Sequence, residues 1–304
     1  MVDRVLVTLD GKFRNPEQPL LYADDLGALR GDGVFETVLV RAGRACALEL
    51  HLARLRRSAQ ALDLPDPDIA AWTKAVSTAV GKWGADREGV LRMVVTRGRE
   101  SSPARRPGSG ALSGSEAEPT GYVLVGPVGE RVARARADGI SVITLARGVS
   151  TELAAEAPWL LMGAKTLSYA MNMAALRFAE RARADDVIFT STEHRVLEGP
   201  RSTVVIQRGK QLLTPPAVDG VLPGVTQRAL FAEAEKAGWE CRYKSLFTAD
   251  LVTAESVWLL SSVTLAARVA VLDGLRMSAP ECAGEIAEMV NSGIERAWNV
   301  ADWQ

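Results

Sequence analysis

Lys165, in Gly163-Ala164-Lys165-Thr166, is an uncommon residue type in a setting that could use it. The chain holds seven lysines against twenty-nine arginines, so a basic position is arginine by default. A lysine among small residues suggests an amine that must lose its proton, which a guanidinium does not do. Such an amine can attack an aldehyde and form a Schiff base. Taken alone, a lysine at the start of a helix is an ordinary solvated side chain. Its company changes that reading. Glu198 follows thirty-three residues later in Val196-Leu197-Glu198-Gly199-Pro200, and other ordered motifs flank the pair.

The elements that must position these residues can be read from periodicity. Val5 to Leu9 is a strand that meets the turn pair Asp10-Gly11, and Val34 to Val40 is a second that ends at Ala42-Gly43. Leucines at 48, 52, 55 and 62 mark an amphipathic helix ended by Pro65, and a second helix is expected from Asp68 to Trp83. Val90 to Thr96 and Tyr122 to Val125 are short, apolar and β-branched, hence strands. Between them, Arg99 to Gly121 is too rich in Ser, Gly and Pro to pack and reads as a long mobile loop.

The second half begins with a strand at Ile140 to Leu145 and continues into a helix from about Thr166 to Ala184, with Lys165 at its mouth. Val187 to Phe189 is a strand, and Thr203 to Ile206 pairs with Leu212-Leu213 across Arg208-Gly209-Lys210. Thr226 to Ala237 is a helix stopped by Gly238, Val257 to Leu260 and Arg268 to Leu272 are strands, and a last helix runs from about Pro280 to Trp298. Strands joined largely by hairpins under a few helices indicate an α+β chain, not a parallel doubly wound sheet. The domain boundary falls near Gly126-Pro127-Val128-Gly129, giving domains 1–126 and 127–304.

Composition removes several classes of function. At 304 residues, 47% apolar and 24% charged, the chain can bury a sizeable core in two domains or one large one. A net charge of −1 supplies no field for nucleic acid or an anionic membrane, and the basic clusters (Arg54, Arg56, Arg57; Arg131, Arg134, Arg136) sit at helical spacing. Three dispersed cysteines argue against a disulfide framework. The amino terminus does not read as a signal peptide, and no apolar run approaches the ~20 residues of a membrane helix, so a cytoplasmic location is expected. His51 and His194 lack partners at metal spacing, so no metal site is expected. There is no phosphate-binding P-loop, no dinucleotide-binding glycine motif and no nucleophile elbow.

Five blocks in order, from about Tyr22 to Gly274, make the chain resemble the class IV aminotransferases, pyridoxal-phosphate enzymes of fold type IV. Gly31-Asp32-Gly33-Val34-Phe35-Glu36-Thr37 matches the family's strand beside the substrate pocket. His51-Leu52-Ala53-Arg54-Leu55 matches the segment whose arginine holds the cofactor phosphate, as a bidentate guanidinium can. Lys165 matches the Schiff-base lysine, and Glu198 the carboxylate that faces the pyridine nitrogen and keeps it protonated. Leu222-Pro223-Gly224-Val225-Thr226 leads into a helix whose first N–H groups, those of Val225 and Thr226, would bind phosphate. Beyond these five blocks, Ser261-Ser262-Val263-Thr264 matches the family's last phosphate-side segment, with Ser262 as hydroxyl donor. Each block alone reads as a turn, a cap or a surface helix. Their joint order is what is specific.

The resemblance implies a smaller N-terminal α/β sandwich with an antiparallel sheet and a larger C-terminal domain, with a barrel-like sheet, carrying Lys165. It also implies pyridoxal 5'-phosphate as cofactor, a small amino substrate, an active site between the domains and a homodimer. The chain departs from the pattern at Pro200-Arg201 and at Ser202-Thr203, where many members have Ser-Asn. Position 35 is Phe where D-amino-acid enzymes have Tyr, and their carboxylate-trapping Arg and His have no clear match after Thr96-Arg97-Gly98. The glycine- and aromatic-rich signature of branched-chain enzymes is missing between Val149 and Lys165. Phe35, Arg97 and Arg99 remain as substrate-side candidates, with Arg105 and Arg106 in the loop. With those transaminase features missing, the run from Lys165 through Val269 most resembles bacterial 4-amino-4-deoxychorismate lyases. That resemblance implies conversion of 4-amino-4-deoxychorismate to 4-aminobenzoate and pyruvate, in folate biosynthesis. Transamination of D-amino acids or branched-chain amino acids is the alternative, and a non-catalytic protein on the same scaffold a minor one.

Overall fold

Alternating apolar residues at the front of the chain build an antiparallel sheet. In the computed structural model, which describes residues 3–101 and 118–298, its strands are β1 (Val5–Thr8), β2 (Phe13–Arg14), β3 (Gly33–Arg41), β4 (Arg44–Ala45), β5 (Gly89–Thr96) and β6 (Thr120–Pro127). Their order is β2-β1-β6-β5-β3-β4. Most of the loop expected over Arg99–Gly121, with Arg105 and Arg106, lies outside the described residues. A short helix, α1 (Leu26–Arg30), precedes β3, and α2 (Leu48–Ala61) and α3 (Ile69–Trp83) follow β4.

On α3, Trp72, Ala75, Val76, Ala79, Val80 and Trp83 are buried at spacings of three and four, the stripe that packs on β1 and β6. Asp68 caps its first turn by accepting from the Ala70 and Ala71 N–H groups, an arrangement worth about 0.5–2 kcal/mol. The stripe on α2 faces β3 and is different in kind. Beside Leu50, Leu52 and Leu55 it buries three polar residues, His51, Arg54 and Ser58. Burial of groups that need partners marks this face as more than core.

The remaining elements are α4 (Glu130–Asp138), β7 (Ile140–Ala146), α5 (Leu153–Glu156), α6 (Ala170–Arg181), β8 (Asp186–Thr190), β9 (Arg195–Val196), β10 (Thr203–Arg208), β11 (Gln211–Thr214), α7 (Val225–Lys236), β12 (Glu240–Tyr243), β13 (Leu246–Phe247), α8 (Thr248–Thr253), β14 (Ser256–Ser261), β15 (Leu265–Leu272), β16 (Leu275–Arg276) and α9 (Ala283–Glu295). The strands join in the order β12-β11-β10-β14-β15-β7-β8-β9-β13, with β16 on β15. Val204, Val205 and Ile206 of β10 and Val257 of β14 are fully buried, as expected of strands covered on both faces.

The α+β class expected from sequence stands, but the hairpin picture holds only in part. β7 pairs in parallel with both β8 and β15, and β11 pairs in parallel with β12. Parallel neighbours need a long connection, and the one from β7 to β8 carries α6, which packs back on both strands. The helix expected from Thr166 begins instead at Ala170, for a reason that belongs to the site. The last helix is also shorter than expected, Ala283–Glu295.

The chain divides into two compact units. One comprises Met1–Val128, Ala164–Tyr169 and Ala297–Gln304; the other comprises Gly129–Gly163 and Ala170–Arg296. Lys165 therefore packs with the N-terminal unit, where a single cut near residue 126 would assign it to the C-terminal one.

Candidate functional site

In the first unit, β4 covers only Val40 and Arg41 of β3, so the start of β3 has an open edge. Residues 165–167 fill it. The Phe35 N–H donates to the Lys165 carbonyl at 3.1 Å, Leu167 N–H donates to Gly33 O at 2.8 Å, and Val34 forms a bridge with Thr166. This extended strap is why α6 cannot start at Thr166: its main-chain groups are already bonded to β3. A third bond comes from α2, where Ser58 Oγ accepts the Lys165 N–H at 3.0 Å.

The strap also explains the glycines at 31 and 33. Gly31 ends α1 in the left-handed conformation (φ 67°), and a Cβ there would lie 2.8 Å from Ser168 Oγ. A Cβ on Gly33 would lie 2.4 Å from Val95 O and 2.7 Å from Leu167 Cδ1. The lysine side chain then runs over aromatic carbon. Its Nζ sits 4.4 Å from the ring centroid of Phe35 and 5.8 Å from that of Tyr169, and those two rings meet edge to face at 5.4 Å. Phe35 thus supports Lys165 directly, through main chain and ring.

Next to Phe35 on β3, Glu36 is completely buried. Its carboxylate accepts from Arg54 Nε at 2.7 Å and Nη2 at 2.8 Å, and lies 2.8 Å from His51 Nδ1. Burial alone would push the Glu36 carboxyl up. The Arg54 charge and the hydrogen bonds from Arg54 and His51 outweigh it and hold the group at about 2, below its ordinary 4.5. Desolvation lowers His51 despite the carboxylate, so the ring is neutral and its Nδ1 carries the hydrogen that faces Glu36. A carboxyl depressed in the folded state stabilises fully above pH 4.5, and that share is lost as pH falls toward 2. A histidine depressed in the folded state costs stability as pH falls below its ordinary 6.5. The expected result is a denaturant midpoint that declines from pH 7 to pH 5 and steepens below 4.5. A midpoint flat between pH 7 and 5 would contradict the buried neutral histidine.

In the second unit, Glu198 lies in extended chain beside β8, with the Phe189 N–H donating to its carbonyl at 2.9 Å. Its side chain is held from two directions. Arg147 Nη1 donates to Oε1 at 3.0 Å, and the Leu222 N–H donates to Oε2 at 3.0 Å. Two such donors favour the ionised carboxylate. Arg147 directly follows β7, its N–H bonded to Thr190 O and its guanidinium 5.9 Å from the Phe189 ring centroid. Sequence reading missed Arg147, and no spacing signal joins it to Glu198; parallel pairing of β7 with β8 does.

Leu222 leads through Pro223 into α7, whose N-cap is Gly224 with no side-chain cap. Val225 and Thr226 are the first residues of the helix and are buried, so their N–H groups belong to an enclosed helix end. A Cβ on Gly224 would lie 2.2 Å from Thr203 Oγ1, which fixes glycine at that cap. Thr226 Oγ1 and Ser202 Oγ are buried and have no hydrogen-bond partner among the described residues. Arg201, one of the departures from the family pattern, forms an ion pair with Asp186 at 3.5 Å. Ser262 stands in the tight turn between β14 and β15, which closes with Leu265 in the left-handed region at φ 64°. Such a conformation is costly for a branched side chain and marks a constrained turn.

Two substrate-side candidates have other employment. Arg97 donates through Nε to Asp32 at 2.7 Å, through Nη1 to Asp63 O at 3.1 Å, and through Nη2 to Leu62 O. It therefore closes the carboxyl end of α2, where terminal carbonyls attract a cation. Arg99 is partly exposed, paired to Asp24 at 2.9 Å and stacked 4.0 Å above the Tyr22 ring. No cluster of His, Cys, Asp or Glu among the described residues could hold a metal ion.

Comparison with known proteins identifies the family. The profile of the amino-transferase class IV family matches residues 33–272. A Mycobacterium tuberculosis protein named bifunctional aminodeoxychorismate lyase / D-amino acid transaminase is 50% identical over 299 residues, covering 95% of this chain and 99% of its own. A solved aminotransferase from Mycobacterium tuberculosis, in its PLP-bound form, superposes with a TM-score of 0.89 at 50% identity, covering 96% of this chain and 98% of that one. The fold IV-transaminase CpuTA1 of Curtobacterium pusillum does so with a TM-score of 0.86 at 37% identity, over 96% and 98%.

Proposed function

The chain belongs to the class IV aminotransferase family and is a pyridoxal-phosphate-dependent enzyme, and from that premise we propose that it converts 4-amino-4-deoxychorismate to 4-aminobenzoate and pyruvate. The observation that carries the lyase reading is the 50% identity, over nearly both whole chains, to a relative whose name includes that activity. The same name favours a second reading, transamination of D-amino acids.

The residues fit a phosphate ester. The buried hydroxyls of Thr226 and Ser202 lack partners among the described residues, and the uncapped first turn of α7 presents the N–H groups of Val225 and Thr226. Oriented donors at a helix start suit an anion. Arg54 and Ser262 complete the proposed set. When bound, the cofactor supplies an electron sink for the carbon that bears the substrate amine. Glu198, fixed by Arg147 and Leu222, would face the ring nitrogen and favour its protonated form. Lys165 would hold the cofactor through its side-chain amine, the group suited to an aldehyde. Its Nζ then takes the proton from the amine-bearing carbon. In the lyase, the C–O bond to the enolpyruvyl group breaks, the ring becomes aromatic, and the departing enolpyruvate gains a proton to become pyruvate. In the transaminase reading, Lys165 would serve as the group that both takes up and gives back that proton.

A homodimer in the cytoplasm is part of the same proposal. The second unit exposes Trp159, Met171, Met173 and Phe178, apolar surface suited to a second copy, and light scattering should give twice the chain mass of 32.6 kDa. Loaded protein given 4-amino-4-deoxychorismate should release 4-aminobenzoate and pyruvate in equal amounts. Absence of release, with turnover of a D-amino acid and a 2-oxo acid, would replace the lyase by the transaminase.

A further inference from the structure

We propose that Glu36 is a positioning residue for phosphate recognition, presetting the guanidinium of Arg54 through its two-point ion pair and holding the His51 ring beside it. The proposal rests on the reading above that Arg54 meets the cofactor phosphate. Glu36 has no solvent exposure, and its two carboxylate oxygens take Arg54 Nε and Nη2 at 2.7 and 2.8 Å. A paired fork of this kind fixes the plane of a guanidinium, where a single contact leaves it free to turn. His51 Nδ1 lies 2.8 Å from the oxygen that also receives Nη2, so the carboxylate gathers both side chains at one point.

The place of this cluster in the fold argues for more than an internal ion pair. Glu36 follows Phe35, whose N–H holds the Lys165 carbonyl. Arg54 lies one helical turn before Ser58, whose hydroxyl accepts the Lys165 N–H. The ion pair thus ties β3 to α2 at the level where both grip the main chain of the lysine. A carboxylate is an unexpected neighbour for a phosphate ligand, because its charge repels the anion. Its presence is explained if orientation of a buried guanidinium is worth more than the lost attraction, since a buried charge without a partner is strongly unfavourable.

A purely structural ion pair would act on fold stability and on every ligand alike. A positioning role acts on the phosphate alone. The test is to titrate the apoprotein with pyridoxal phosphate and with pyridoxal, which lacks the phosphate, and compare the ratio of dissociation constants. Glu36→Gln should lower the preference for the phosphorylated form by roughly tenfold or more, with pyridoxal affinity kept within about twofold. Should Glu36→Gln fail to fold, Glu36→Asp keeps the charge but withdraws it by one methylene and should lower the ratio in the same sense. Arg54→Lys, which keeps the charge and loses the fork, should also lower it. An unchanged ratio in the Glu36 variants, with a lowered one in Arg54→Lys, would overturn the positioning role alone. An unchanged ratio in Arg54→Lys would remove Arg54 as the phosphate ligand, and the role of Glu36 with it.

Discussion

Lys165→Ala should leave a folded protein whose turnover is lower by at least about 10²–10⁴-fold, the range for loss of a positioned proton-transfer group. The fold should survive because the strap is held by main-chain atoms. Phe35, Ser58 and Gly33 bond to the backbone of residues 165–167, and alanine keeps all of these bonds. The side chain gives up its position over the Phe35 and Tyr169 rings, a contact worth about 0.5–1 kcal/mol at a partly exposed site. Activity and stability should therefore separate. A thermal midpoint within a few degrees of the parent, beside near-total loss of turnover, is the expected pair. Retention of a tenth of the activity would remove Lys165 from the chemistry.

Glu198→Gln should lower turnover by roughly 10²–10³-fold, comparable to the loss of one aimed electrostatic group. The local chemistry is unforgiving. Both neighbours, Arg147 Nη1 and the Leu222 N–H, are donors, and each needs an acceptor at 3.0 Å. A glutamine supplies one oxygen and one NH₂, so one neighbour faces another donor. It also removes the negative charge that would keep a proton on the cofactor ring. Steady-state rates beside far-ultraviolet circular dichroism would separate the chemical loss from a folding defect. An unaffected rate would mean that Glu198 serves only to bind Arg147 and the start of the Leu222 segment.

Much of the candidate site could be read from residue order, because its parts lie in short local motifs. The glycines at 31 and 33, the α2 face with Arg54, the Gly224 cap and Thr226 each sit within a few residues of the features that define them. Where sequence reading went wrong, long-range pairing decided. Thr166 has helical company downstream, yet β3 claims it for an edge, and nothing within the 163–184 segment records that competition. The partners of Arg97, Asp32 and the end of α2, could not be read either, because they lie about thirty or more residues away. Arg147 and Ser58 were invisible for the same reason: each meets its partner only through the pairing of distant elements. Parallel pairs β7–β8 and β7–β15 escaped because short β-branched runs look alike in either direction.

The most direct test of the central claim, that Lys165 carries the cofactor, is to reduce the loaded protein with borohydride and map the modified peptide by mass spectrometry. The predicted result is a single pyridoxyl mass on Lys165, in the peptide containing Gly163-Ala164-Lys165-Thr166. Modification of any other lysine in its place, or none in a protein that binds the cofactor, would contradict it.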